Sequence, residues 1–356
     1  MTIKNKKIAV ALGGWNKEKE VSINSGESVY KTLIDNGFNA MKVEFDRNFA
    51  DKIKNLNIDI VFNALHGKFV EDGRIQGLLD FMQIPYTHSG LSSSAVCMDK
   101  VFTHKICSDS GAKTAKYHII RQGEDAINQE KINELGRPFV IKPINEGSSV
   151  GIEIILSDNN DFDISKYQFN YGKEMIIEKY IAGKEIQVAI FDNYNIEDDF
   201  HHKLFNIFCN NYQKYHSTNI DISDLKSIFA KKKSIAIGAI EVRPKNLFYD
   251  YQCKYTPGMT EYVMPAEISQ KEYYQILEIA ENCYNSAKCR GLARIDFILN
   301  DKNYQNNIAD NSFYLLEINT HPGFTSTSLV PKIAKYHNIE FIEIIQFLLN
   351  NSSYDD

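Results

Sequence analysis

The sequence lacks any apolar run near the ~20 residues that a membrane helix needs. Its first apolar run, residues 8–12, follows a basic start but ends at once in Gly13 and Gly14. That is too short for a signal peptide and reads as a first strand, which makes the cytoplasm the expected compartment. Basic charge is not in excess: 40 Lys and Arg against 46 Asp and Glu give a net charge of −6. A nucleic-acid binder relying on a basic surface is therefore not expected. Cysteine is sparse, six in all, and no two form a C-x-x-C pair. Neither a zinc site nor a thioredoxin-like motif is indicated, and reduced thiols are expected. No G-x-x-x-x-G-K-[ST] occurs, and no G-x-G-x-x-G follows the first strand, so a P-loop and a dinucleotide fingerprint are both excluded.

What is present is a chain built to fold. Of its 356 residues, 43% are hydrophobic and 24% charged, which excludes disorder as the main state. The length suggests about two or three domains. The apolar run at 8–12 and the stretches 41–45 and 59–65 predict strands. Between and after them, a helix capped by Ser25 and running to Asn36, and another over 73–83, predict an open α/β layer. Ligands bind beyond the carboxyl ends of such strands. Polar clusters at 13–22 and 66–73 fall there, and the second holds His66, Glu71 and Asp72.

Further along, 92–110 reads as one helix carrying Met98-Asp99-Lys100. A β-rich run at 139–143 ends in Lys142-Pro143 and leads through Asn145-Glu146-Gly147-Ser148-Ser149-Val150-Gly151 into another strand at 152–156. Small residues in such a loop let main-chain N–H groups approach phosphate oxygens, and the lysine adds a point charge. Strands at 175–181 and 184–190 place Glu178 and Glu185 on either side of a turn, where carboxylates could accept from an adenine amino group and from ribose hydroxyls. Residues 191–248 give no clear pattern; His201-His202 and Lys231-Lys232-Lys233 are expected to be solvated. Helical spacing predicts a surface helix over 270–289.

Two late strands, 292–299 and 313–319, carry the sharpest chemistry. Period two puts Arg294 and Asp296 on one face, and Glu317 and Asn319 on one face. If the strands pair, Asp296, Glu317 and Asn319 converge. Three hard oxygen donors beside an arginine suit Mg²⁺ carrying nucleotide phosphates. The loop at 320–328 follows at once, with glycine and hydroxyls for an anionic substrate.

Taken together, the pieces resemble the D-alanine–D-alanine ligase family of the ATP-grasp superfamily. The similar stretches are GGWNKEKEVSINSG at 13–26, HGKFVEDGRIQG at 66–77, MDK at 98–100, IKPINEGSSVG at 141–151, IIEKYIAGKE at 176–185, YDYQCKY at 249–255, RIDF at 294–297 and LLEINTHPGFTSTSLVP at 315–331. They are collinear and span most of the chain. The resemblance implies an α/β fold of three domains: an N-terminal open layer at 1–95, a central lid domain at 96–183, and a C-terminal domain at 184–356. ATP would lie between the central and C-terminal domains. It implies that Lys100 and Lys142 meet ATP phosphates, that Glu178 and the main chain of Lys179 and Ile181 form the adenine site, and that Glu185 meets ribose. Asp296, Glu317 and Asn319 would hold two Mg²⁺ ions, with Mn²⁺ as a substitute. Glu18 would anchor the first D-alanine's ammonium, with His66 orienting that substrate. Glu18, Ser148 and Tyr255 would form a hydrogen-bonded trio. Lys254 would reach the transferred phosphate, Arg294 and the Gly323 main chain the oxyanion, and Ser328 the second substrate's carboxylate.

The implied activity is ATP-dependent joining of two D-alanine molecules through an acyl phosphate, for peptidoglycan synthesis in the bacterial cytoplasm, by a homodimer with no nucleic-acid or membrane partner. The presence of Tyr255 favours an amine nucleophile over the hydroxyl used by related depsipeptide ligases. Alternatives are another ATP-grasp carboxylate–amine ligase and a nucleotide-binding protein without catalysis. The chain departs from the family pattern at Val70, where glycine is usual, at Asn16 and Lys19, and in added length near 192–245 and at 301–311.

Overall fold

The computed structural model describes residues 3–156, 162–194, 198–216, 220–246, 249–300 and 312–355. The first layer is a parallel sheet in the order β2-β1-β3, formed by β1 (Ile8–Gly13), β2 (Ala40–Phe45) and β3 (Ile60–Asn63). Every residue of β1 is buried, as continuous apolar runs at the centre of a parallel sheet should be. Helix α1 (Lys19–Asp35) covers one face through Val29 and Leu33. The other face is covered by α2 (Phe49–Asn55) and α3 (Arg74–Phe81), through Phe49, Ile53, Ile75 and Leu79. Helix α1 lies so close to β1 that a Cβ at Gly26 would sit 2.5 Å from that of Leu12. Ser25 does not cap this helix. It lies within it, fully buried, because the apolar stripe already begins at Val21 and the chain turns helical before the expected cap.

Residues expected to form one helix form two, α4 (Leu91–Met98) and α5 (Lys100–Ile106). Asp99 divides them: its backbone is extended and its carboxylate accepts from the N–H groups of Val101 and Phe102, both at 2.9 Å. A side chain that satisfies orphan donors starts a helix as surely as it ends the one before.

The second layer is the antiparallel sheet β4-β7-β5-β6, with β4 (Tyr117–Arg121), β5 (Phe139–Pro143), β6 (Glu153–Ile155) and β7 (Glu174–Lys179). Helix α6 (Asp125–Leu135) packs on it through Ile132 and Leu135, giving this layer a core of its own.

The third layer is the antiparallel sheet β10-β9-β8-β11-β12. Its strands are β8 (Lys184–Asp192), β9 (Ser234–Pro244), β10 (Thr260–Val263), β11 (Leu292–Leu299) and β12 (Phe313–Asn319). Between β8 and β9 the stretch that gave no pattern contains α7 (Asp199–His216) and α8 (Ile222–Lys231). Their aromatic cluster, with Phe200, Phe208 and Phe229, joins the core beneath the sheet. His201 packs on the Phe229 ring at 5.0 Å and Lys232 pairs with the buried Glu281, so neither is simply solvated. The short α9 (Tyr251–Tyr255) precedes β10, and α10 (Gln270–Ser286), closed by a capping box of Ser269 and Glu272, covers one sheet face. The other face takes α11 (Leu329–Tyr336) and α12 (Phe341–Asn350), which share one core with Ile8, Val10 and Phe62 of the first layer. All six cysteines are free thiols. Among the described residues no helix is long and apolar enough to cross a membrane.

Candidate active site

A cleft of about 550 Å³ opens where the carboxyl end of the first sheet, the loop after β5 and the third sheet meet. Glu18, His66, Lys100, Ser148, Lys254, Arg294, Glu317, Asn319, Gly323 and Ser328 all line it.

The first-layer corner is acidic. Glu18 precedes α1 and is buried. Ser148 Oγ donates to its Oε1, closing the loop after β5 onto the first layer. Gly67 is required here, because its φ is +83° and a Cβ would run into the Glu18 carboxylate. Burial, and then the neighbouring Glu71 charge, raise the Glu18 carboxyl to about 7, although Ser148, His66 and Lys254 oppose the shift. The imidazole of His66 is engaged at both nitrogens: Nε2 meets Ser25 Oγ at 2.9 Å and Nδ1 meets Glu71 Oε1 at 3.2 Å. Ser25, expected as a cap, is thus a contact of the site. The main-chain N–H of Phe324 donates to the same hydroxyl at 3.2 Å. Asp72 is drawn away to Arg74, and among the described residues no three His, Cys, Asp or Glu side chains gather to hold a metal ion between them.

The cationic side of the site comes from α5 and β5. Lys100 begins α5 and donates to the Glu146 carbonyl at 2.6 Å; burial lowers its pKa. Lys142 pairs with Glu178 at 2.6 Å between adjacent strands, both side chains buried. His104 Nε2 stands 3.7 Å from the same carboxylate, and its burial holds it near 4, neutral at physiological pH. The Lys179 N–H is bonded to the Lys116 carbonyl and its Nζ to that of Arg137, both at 2.9 Å. Ile181 lies two residues beyond the end of β7. Glu185, on β8, accepts from Gln187 at 2.9 Å; burial and the Asp296 charge lift it to about 7.

Strands β11 and β12 pair as the spacing anticipates. Asp296 stands opposite Glu317 and Arg294 opposite Asn319, with a register shift after Asp296. Arg294 grips both Asp296 oxygens at 2.7 Å and reaches Glu317 at 3.5 Å. Burial raises Asp296 despite that grip. Burial also works to raise Glu317. The charges of Lys254, Lys100, Arg294 and Lys142 outweigh it, and the carboxyl lies below its ordinary range. Two carboxylates facing each other across paired strands, with an amide oxygen one step along the same face, are a donor set of hard oxygens that fits Mg²⁺ or Mn²⁺.

Beyond β12, the Asn319 side-chain oxygen accepts from the His321 N–H at 2.9 Å. Ser328 precedes α11; its Oγ lies 2.9 Å from Thr325 Oγ1 and accepts from the Thr325 N–H at 3.0 Å. Lys254 lies over the Tyr249 ring, and Tyr249 and Tyr262 share a hydroxyl contact at 2.9 Å. Cys253 is buried. The Tyr255 side chain lies outside what is described, as do residues 301–311. Sequence reasoning missed Lys332 and Tyr262 as lining residues, and named Tyr249 and His321 only as parts of the stretches 249–255 and 320–328. One signal was available for Lys332: it stands four residues after Ser328, on the same helix face.

The family model described as "D-ala D-ala ligase C-terminus" matches residues 106–228 and 213–350, and that described as "D-ala D-ala ligase N-terminus" matches 44–89. A D-alanine–D-alanine ligase of Rickettsia bellii is 38% identical over 351 residues, covering 98% of this chain and 93% of the relative. One of Geotalea uraniireducens is 34% identical over 347 residues, covering 98% and 96%. Among solved structures, the Bacillus anthracis D-alanine–D-alanine ligase complexed with ATP superposes with a TM-score of 0.72 at 26% identity, covering 97% of both chains. The VanG D-Ala:D-Ser ligase of Enterococcus faecalis gives 0.73 at 25% identity, covering 97% of this chain and 99% of that one.

Proposed function

Because this chain belongs to the D-alanine–D-alanine ligase family of ATP-grasp enzymes, we propose that its cleft divides the family's reaction between an acidic first-layer corner and a cationic strand pair. The enzyme joins two D-alanine molecules at the expense of ATP, releasing ADP, and so supplies the peptidoglycan dipeptide. A carboxylate is a poor acyl donor, since oxide is a poor leaving group. The first D-alanine's carboxylate oxygen therefore attacks the γ-phosphorus of ATP, and the bond to ADP breaks. The resulting acyl phosphate is attacked at its carbonyl carbon by the second amine. The tetrahedral oxyanion then collapses and phosphate leaves.

Each residue takes a part suited to its surroundings. Glu18, when ionised, holds the first D-alanine's ammonium, and Ser148 ties that corner to the phosphate loop. His66, braced by Ser25 and Glu71, shapes the pocket around that substrate. Lys100, Lys142 and Lys254 stabilise ATP phosphate charge. Glu178 with the main chain of Lys179 and Ile181 receives adenine, and Glu185 receives ribose. Arg294 and the Gly323 N–H stabilise the oxyanion. Ser328 holds the second carboxylate, and Tyr255 completes the trio with Glu18 and Ser148. Asp296, Glu317 and Asn319 would hold Mg²⁺, which neutralises phosphoryl charge when bound. The segment containing Tyr249 and Lys254 shields the acyl phosphate from water.

The observation that carries this reading is the gathering of Glu18, Lys100, Arg294 and Glu317 in one cleft. The test incubates purified protein with ATP, Mg²⁺ and D-alanine and follows ADP and dipeptide together. Parallel arms offer D-serine and D-lactate as acceptors. D-Alanyl-D-alanine formed by the wild type and lost in Glu317→Ala is expected; nucleotide binding without dipeptide would refute the reading. A cytoplasmic homodimer is part of the proposal, and light scattering of the purified protein tests the assembly.

A further inference from the structure

One buried side chain between the two halves of the cleft has no part in the chemistry above. His321 is 1% exposed, and its ring lies between the first and third layers. Its Nε2 faces two amide nitrogens, Asn63 Nδ2 at 3.1 Å and Gln76 Nε2 at 3.3 Å. Neither amide is free to turn its oxygen inward. Asn63 Oδ1 is occupied by the Leu65 N–H at 3.2 Å, and Gln76 Nε2 also donates to the Val70 carbonyl at 3.2 Å. Two donors aimed at one ring nitrogen mean that Nε2 accepts and the ring proton sits on Nδ1. There it donates to Thr320 Oγ1 at 3.1 Å. The imidazole is thus a neutral acceptor of fixed tautomer.

Its connections explain why this matters. Asn63 ends β3, a few residues before His66, and Gln76 lies on α3. On its other side, His321 stands in the loop that joins Asn319, the last residue of β12, to Gly323 and Ser328, and its own N–H donates to the Asn319 side-chain oxygen. We propose that His321 is a positioning residue that docks the acceptor-side loop onto the first layer and so sets the distance from the bound first D-alanine to the second. This rests on the division of the cleft proposed above. An acyl phosphate is captured efficiently only if the attacking amine is held at about 3–3.5 Å in the right orientation. A loop released by a fraction of that distance would leave the acyl phosphate to water.

The experiment reads the ratio of ADP released to dipeptide formed, together with KM for each substrate. In the wild type one ADP accompanies each dipeptide. His321→Leu strands both amide donors, and kcat/KM for D-alanine is expected to fall about 10–100-fold. KM for ATP should hold while the ADP-to-dipeptide ratio climbs above unity. His321→Gln, whose side-chain oxygen reaches the place of Nε2, should bring the ratio back towards unity. Gln76→Leu, which removes only one donor, should shift it the same way by less, and serves if His321→Leu does not fold. A merely structural role would lower the active fraction without touching the ratio. A ratio of unity and an unchanged KM for D-alanine in the folded variants would overturn the inference, whatever happened to Tm. Failure of the wild type to make dipeptide would instead overturn the reading of the cleft itself.

Discussion

Two glutamates line the same cleft and are driven in opposite directions from the ordinary carboxyl range. Glu18 sits beside another carboxylate and is raised to about 7, whereas Glu317 sits among three lysines and an arginine and is held below the ordinary range. Glu18 is buried and Glu317 partly so, and loss of water works to raise both carboxyls. The neighbouring charges separate them, adding to the rise at Glu18 and reversing it at Glu317. The acidic corner is suited to an ammonium, whose arrival favours the ionised form of Glu18. The cationic corner is suited to phosphates, whose negative charge its lysines and arginine offset. A reaction that must bring an amino acid and a triphosphate together is served by keeping these two fields apart yet within one cavity.

The contrast can be broken most severely at Arg294. Arg294→Leu removes the group that grips Asp296 and reaches Glu317, and kcat for dipeptide formation is expected to fall by about 10²–10³. Initial-rate kinetics at saturating ATP read the loss. Next is the buried pair behind the cationic corner. Lys142→Met leaves Glu178 without its 2.6 Å partner, which should cost about 3–5 kcal/mol in urea unfolding. The variant also subtracts one of the charges that hold Glu317 down.

A gentler intervention sharpens the acidic side. Glu18 is protonated below about pH 7 and cannot then hold an ammonium. The kcat/KM for D-alanine should therefore rise as pH climbs through that value. Glu71→Gln removes a charge that raises Glu18 and should move the midpoint to lower pH. Ser148→Ala removes a hydrogen bond that favours the carboxylate and should move it higher. Midpoints that fail to move in opposite directions would mean that the rise belongs to another group. Smallest of all, Asp99→Ala should cost about 1 kcal/mol through the lost cap, read as a lower Tm.

Much of this was legible in advance, for physical reasons that differ by element. The run at 8–12 is continuously apolar and 293–297 alternates apolar with charged, and a chain with such periodicity has few other ways to bury itself. The polar faces of β11 and β12 followed from period two, and so did the meeting of Asp296 with Glu317. Local patterns fail where a contact is distant. Ser25 looked like a cap because serine often is one, and only the approach of His66 and Phe324 from other elements gives it another role. Asp99 divides two helices through two bonds that apolar spacing does not register. The aromatic faces of α7 and α8 serve a core shared with the first layer, so their pattern made no sense within the insertion alone. His321 was visible only as part of the loop at 320–328, and its docking role was not, since its partners lie some 250 residues earlier in the chain.

Ser148 and Ser149 have φ of +48° and +58°, a left-handed pair with side chains on both. Glycine would take that shape without the roughly 1 kcal/mol or more that each serine forfeits. The hydroxyls explain the choice: one reaches Glu18 and the other the Tyr249 carbonyl at 2.9 Å. Seen as an evolutionary matter, these two positions record a standing trade in which a sturdier loop is always one substitution away. Selection for thermal robustness alone would drift towards glycine here, and would unfasten the loop after β5 from both the Glu18 corner and the segment that holds Tyr249.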